Sequence, residues 1–140
     1  MENIKNILVP IDGSDHSAGA LVRGLQLSRQ LEAKLHLLHV KDDRNPAASM
    51  YLGDALEAAT ERYDKEILEK ALASIPERTA VTALLKTGDP ADEILSYCRT
   101  EEIDLIVMGT RGLGAIQGRI FGSVSQQILN EAKCDVLIKK

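Results

Sequence analysis

Short apolar runs alternate along this chain with segments of helical period. Five runs stand out: residues 4–11, ending in ILVPI; KLHLLHV at 34–40; AVTALLKTG at 80–88; DLIVMG at 104–109; and DVLIK at 135–139. Several are continuous rather than alternating, as strands covered on both faces of a parallel sheet are. Four helices are predicted between them. The first follows DGSDHS, with Ser14 or Asp15 as cap; Ala18, Leu21, Val22 and Leu25 form its stripe, with Leu27 and Leu31 beside it. The second spans roughly 53–74, with Ala59, Tyr63, Ile67 and Ala71 at i, i+4 steps. The third opens at GDPADEIL. There Asp89 caps, Pro90 takes the first turn, Asp92 and Glu93 suit the positive helix end, and Ile94, Leu95 and Cys98 point inward. The fourth runs from about Ser123 to Ala132, with Val124, Ile128 and Ala132 on one face.

A β-α-β-α-β-α-β-α-β order calls for an α/β fold: an open parallel sheet with helices on both faces, three layers in all. Residues 1–140 then make one domain with no internal linker or repeat. The stretch KDDRNPAASMYLG at 41–53 is too long for an ordinary turn and suits a lid or a partner surface.

Composition narrows the function. Aromatics are 3% of the chain, too few for base-stacking platforms, and the net charge of −4 offers no footprint for nucleic acid or anionic lipid. No run approaches the ~18 apolar residues of a membrane span. The N-terminal MENIKNILVPIDGS lacks the pattern of a signal peptide, and Cys98 and Cys134 fall outside CxxC spacing. A cytoplasmic protein with reduced thiols is expected.

In doubly wound sheets ligands sit at the carboxyl ends of strands, where strand order reverses. Two glycine-bearing turns follow strands here, PIDGS at 10–14 and GTRGLG at 109–114. The longer stretch GTRGLGAIQGRIFGS, 109–123, contains no lysine and so fails the Walker pattern. It nearly matches GxGxxG at Gly112, Gly114 and Gly118, but the last glycine is one residue late. Phosphate charge would fall to backbone N–H groups, the fourth helix's N-terminus and Ser123, with Arg111 and Arg119 able to add full charges. Composition fits a glycine-rich surface loop ending in a helix cap equally well.

The spacing Gly109-x2-Gly112-x9-Gly122-Ser123 matches the G-2x-G-9x-G-[S/T] motif of the ATP-binding branch of the universal stress protein family. NILVPIDGSDHSAGAL, LHLLHV, KTGDPADEIL and DLIVMGTRG resemble other blocks of that family, so the likeness covers nearly the whole chain. It implies a Rossmann-like sheet of order 3-2-1-4-5 and a homodimer pairing through the last strand, here Val136, Leu137 and Ile138. It also implies ATP or another adenine nucleotide in the crevice. By position, Pro10, Ile11 and Asp12 follow the first strand, with Asp12 near the ribose or a phosphate-bound metal. Val40 would meet adenine through its backbone, and Met108 would flank the site. Gly109 and Gly112 would allow close approach, and Gly122, Ser123 and Val124 would hold phosphates. Asp135 departs from the pattern, since relatives commonly have Pro there, which bears on the edge strand and the dimer contact.

Asp12 has a second reading, as a cap of its own turn through its side chain. A carboxylate beside phosphates needs a cation between them, so the functional reading calls for Mg²⁺ or Mn²⁺ at Asp12. His36 and His39 read as satisfied sheet histidines, His39 also lying one residue before Val40, and His16 falls in the first helical turn. The three are too scattered for a metal site. Cys98 reads as core and Cys134 as a small strand-edge residue. DDR at 42–44 and PADE at 90–93 read as solvated faces or helix starts, which leaves charge stabilisation without a positioned base. Three readings compete. One is a dimeric nucleotide-binding signalling module controlling a partner such as a transporter or kinase; another is a slow metal-dependent ATPase; the third is an interaction domain with an empty crevice. The intact glycine spacing speaks against the last.

Overall fold

Every apolar run forms a strand. The computed structural model describes residues 3–43, 61–110 and 122–140. Its strands are β1 (Asn6–Pro10), β2 (Lys34–Asp42), β3 (Val81–Gly88), β4 (Leu105–Gly109) and β5 (Asp135–Lys139). All neighbours pair in parallel, in the order β3-β2-β1-β4-β5. The helices are α1 (Asp15–Gln30), α2 over residues 61–73, α3 (Pro90–Thr100) and α4 (Ser123–Glu131). The segment 44–60, which holds most of the 41–53 stretch and the expected start of α2, lies outside the described residues. Among the described residues no helix is long and apolar enough to cross a membrane.

The continuous apolar runs are explained by two cores, one on each face of the sheet. Successive strand residues point to opposite faces. In β1, Ile7 and Val9 join Leu35, Leu37, Leu105 and Val107 beneath Ala20 and Leu21 of α1. Leu8 instead joins Leu38, Ile106 and Met108 beneath Ala91, Ile94 and Tyr97 of α3 and Ile128 of α4. Helix α2 adds Ile67, Leu68 and Ala71 to the first core. A strand buried on both faces has no polar position to alternate with.

Helix α1 departs from its expected stripe. Its buried residues are Ser17, Ala20, Leu21, Gly24 and Ser28, whereas Val22 is 59% exposed and Ala18 is exposed as well. The reason is close approach: a Cβ on Gly24 would stand 2.5 Å from Val9 Cγ2. A helix this near the sheet presents its smallest side chains to it, so the largest apolar residues do not mark the inner face. Leu25 and Leu27 flank the contact, and Leu31 is partly exposed at the helix end.

The remaining elements follow local chemistry. Ser14, rather than Asp15, caps α1 by accepting from the Ser17 N–H at 3.1 Å. Asp89 caps α3 by accepting from the Asp92 N–H at 3.0 Å, with Pro90 in the first turn. Strand β5 begins at Asp135 and keeps register with β4 from Leu105↔Asp135 to Gly109↔Lys139. The Pro-to-Asp departure therefore leaves the edge strand intact.

Candidate nucleotide site

Strands β1 and β4 are neighbours, with Ile7 opposite Leu105 and Leu8 opposite Ile106. The chain leaves β1 for α1 on one face and leaves β4 for α4 on the other. A crevice opens between the two exits, the switch point of a doubly wound sheet. Pro10 ends β1, Ile11 is buried beside it, and Met108 and Gly109 end β4.

The turn after β1 is held by two hydrogen bonds at Asp12. Asp12 Oδ1 accepts from the Ser14 N–H at 2.9 Å, and the Asp12 N–H donates to Ser17 Oγ at 3.3 Å. Gly13 sits at φ +86°, where a side chain would be strained. Its missing Cβ would also lie 3.2 Å from Ile67 of α2. The turn-holding role of the Asp12 carboxylate is thus present in the fold.

Gly109 is constrained by protein. A Cβ there would lie 2.7 Å from His16 Cβ and 2.8 Å from the His16 carbonyl oxygen. The first turn of α1 therefore needs this glycine whether or not a ligand does. Across the crevice, Ser125 Oγ donates to the Gly109 carbonyl at 3.0 Å, and the Gly122 N–H donates to the Thr110 carbonyl at 2.7 Å. Gly122 is the N-cap of α4 and supplies no side-chain cap. Its own N–H is committed, so any anion at this helix end meets the amides of Ser123, Val124 and Ser125. Arg111, Gly112 and Arg119 lie outside the described residues.

Val40 is not the last residue of its strand, since β2 runs on to Asp42 opposite Gly88. It nonetheless lies beyond the β1 ladder, which ends at Pro10↔Leu38, two residues past Leu38. Even-numbered residues of β2 turn their backbone toward β1, as in Lys34 N–H to the Lys5 carbonyl and Ile11 N–H to the Leu38 carbonyl. Leu35, by contrast, donates toward β3, to the Ala80 carbonyl. Val40 shares the even phase, so its N–H and C=O face the crevice.

Beside it stands a contact that the helical period left unread. Asp64 of α2 is buried and lies 2.5 Å from His39 Nε2, while His39 Nδ1 lies 2.8 Å from the Ile11 carbonyl oxygen. The signal was an acid at the inward i, i+4, i+7 positions Asp64, Leu68 and Ala71. His36 points to the other face, between Tyr97 OH at 2.7 Å and Asn6 Oδ1 at 2.9 Å. Burial, and then Lys34, holds its pKa below the usual 6.5. Among the described residues no three His, Cys, Asp or Glu side chains group as a metal site.

The cysteines, distant in sequence, meet in the fold. Both pack on the α3–α4 core, where each thiol bears on the other's ionisation. Cys134 raises the Cys98 pKa, with burial adding to it, and Cys98 lowers that of Cys134 against the effect of burial.

Comparisons with known proteins agree with this architecture. The model of the universal stress protein family matches residues 3–140. The "universal stress protein in QAH/OAS sulfhydrylase 3'region" of Thermus aquaticus is 39% identical over 140 residues, spanning 96% of this chain and 97% of its own. The solved universal stress protein UspA from Lactobacillus plantarum is 26% identical, with a TM-score of 0.78 over 100% of both chains. A universal stress protein solved in complex with cAMP is 26% identical, with a TM-score of 0.66 over 99% of this chain and 98% of its own.

Proposed function

This chain belongs to the universal stress protein family, and from that membership and the crevice geometry we propose that it is an adenine-nucleotide-binding regulatory module. The observation that carries this reading is the end of α4, where N-cap Gly122 supplies no side chain and three first-turn amides, Ser123 to Ser125, are presented at the switch point. The open backbone of Val40 adds a donor and an acceptor for a base on the opposite wall. The relative solved with cAMP supports an adenine nucleotide as the ligand class.

In this reading ATP lies with its base at Val40 and its ribose near Pro10, Ile11 and Asp12. Its phosphates meet Gly109, Gly112, Ser123 and Val124, with Arg111 and Arg119 adding charge. A single carboxylate suits a cation held mainly by phosphate oxygens, so Asp12 would hold Mg²⁺ or Mn²⁺ there. That cation supplies neutralisation of phosphate charge. His39 has both ring nitrogens committed, to Ile11 and Asp64, which supports a binding role over a hydrolytic one. Val136, Leu137 and Ile138 lie half-buried on the edge strand β5, a surface suited to pairing two copies in a cytoplasmic homodimer that presents its nucleotide state to a partner protein.

The test is direct. Nucleotide released from denatured protein is identified by chromatography and mass, and stripped protein is titrated with Mg·ATP, AMP and cAMP by calorimetry. Light scattering gives the oligomeric state, and phosphate release is followed for hours. The expected result is nucleotide binding with negligible turnover. Protein that carries no nucleotide and shows no thermal shift with Mg·ATP would overturn the reading.

A further inference from the structure

The Ile11 carbonyl has an unusual partner. In a continued parallel ladder the next bond after Ile11 N–H to Leu38 carbonyl would be Val40 N–H to Ile11 carbonyl. That bond is absent among the described backbone pairs. The Ile11 oxygen instead accepts from His39 Nδ1 at 2.8 Å. A carbonyl only accepts, so Nδ1 carries the hydrogen, and Nε2 is turned to Asp64 Oδ1 at 2.5 Å. Both side chains are buried, His39 at 5% and Asp64 at 7% exposure, so neither can exchange its partner for water.

We propose that His39, oriented by Asp64, is the positioning residue of the nucleotide site: by holding the Ile11 carbonyl it keeps the Val40 amide unpaired for the base. The inference rests on the nucleotide-binding reading above. The Ile11–Asp12 peptide is planar, so fixing its carbonyl also fixes the Asp12 N–H, which reaches Ser17 Oγ on the other side. One imidazole thereby sets both the base contact and the direction in which Asp12 leaves the strand. Asp64 ties this setting to α2, whose Ile67 lies over Gly13 in the same turn. A displacement of α2 is transmitted to Val40 through two hydrogen bonds.

Isosteric variants separate positioning from stability. An amide at the Nδ1 position, His39→Asn, keeps the donor to Ile11 but strands Asp64. An amide at the Nε2 position, His39→Gln, keeps Asp64 partnered but releases Ile11. Asp64→Asn keeps His39 and its Nδ1 hydrogen. The expected result is that His39→Gln weakens Mg·ATP binding by about tenfold, one hydrogen bond's share, while His39→Asn and Asp64→Asn stay within about threefold of wild type. Melting temperature runs the other way, with His39→Asn the least stable. Should His39→Asn fail to fold, Asp64→Asn against His39→Gln carries the same comparison. Amide hydrogen exchange in protein stripped of nucleotide gives a readout that needs no ligand. Val40 exchanges quickly in wild type and becomes protected in His39→Gln, as its N–H closes on the freed carbonyl. Equal affinities for His39→Gln and wild type, or unchanged Val40 exchange, would overturn the proposal. If wild type binds no Mg·ATP, the nucleotide reading fails by itself, and Val40 exchange still decides the role of His39.

Discussion

Gly109→Ala tests whether this glycine serves the protein before it serves any ligand. An added Cβ would stand 2.7 Å from His16 Cβ, 2.8 Å from the His16 carbonyl oxygen and 2.9 Å from its carbon. None of these atoms moves by rotating a side chain, so the first turn of α1 or the end of β4 must retreat. Ordinary contact begins near 3.4 Å, so full relief takes a retreat of about 0.7 Å. Overpacking of this kind costs about 1–3 kcal/mol. At about 3–4 °C per kcal/mol for a domain of this size, the nucleotide-free melting temperature falls by about 3–12 °C. Gly19→Ala, on the same helix, is the control, because among the described residues nothing lies within 4 Å of its Cβ. That change gains up to about 1 kcal/mol of helix propensity and raises the melting temperature. Both are read by circular dichroism on protein stripped of nucleotide. The shift also moves the Asp12–Ser14 turn that joins β1 to α1, so Mg·ATP affinity falls in parallel. An unchanged melting temperature for Gly109→Ala, with only affinity reduced, would refute the steric argument and leave the glycine to the ligand alone.

Three other outcomes follow from the same geometry. Gly24→Ala destabilises despite its helix propensity, because its Cβ would meet buried, β-branched Val9 at 2.5 Å; denaturant titration of a cycle with Val9→Ala recovers the loss if that contact is the cause. The His36 pKa is lowered in the fold, so the neutral ring is the favoured form: its contribution is present above the unfolded-chain value of 6.5 and is lost as pH falls through the folded value. His36→Gln accordingly flattens the decline in melting temperature below that pH, and an identical decline in the variant would count against it. Cys134 is alkylated by iodoacetamide before Cys98, and Cys98→Ala slows it by removing the neighbouring thiol that lowers its pKa; mass spectrometry showing equal rates at both thiols would contradict this.

Much of the fold was legible because strands buried on two faces announce themselves. Ile7, Leu8 and Val9 admit no polar position, and the helix starts at Ser14 and Asp89 carry their caps in the sequence. The inner face of α1 was not legible, since close packing there selected Ser17, Gly24 and Ser28 over the larger Val22. Helical period ranks side chains by apolarity, whereas a near approach ranks them by size. The site divides in the same way. Glycine spacing pointed to Gly109 and Gly122, but it could not show that the first packs against His16 or that the second commits its N–H to Thr110.

Local chemistry along the chain therefore determined the elements, their order and the family. Burial, capping and turn preferences act over a few residues, and they are written where they act. Only the tertiary structure decided that Asp64 meets His39, that Cys98 meets Cys134 and that the Val40 backbone turns to the crevice. Those contacts depend on strand register and on how closely a helix sits, which are set by packing between segments far apart in the chain.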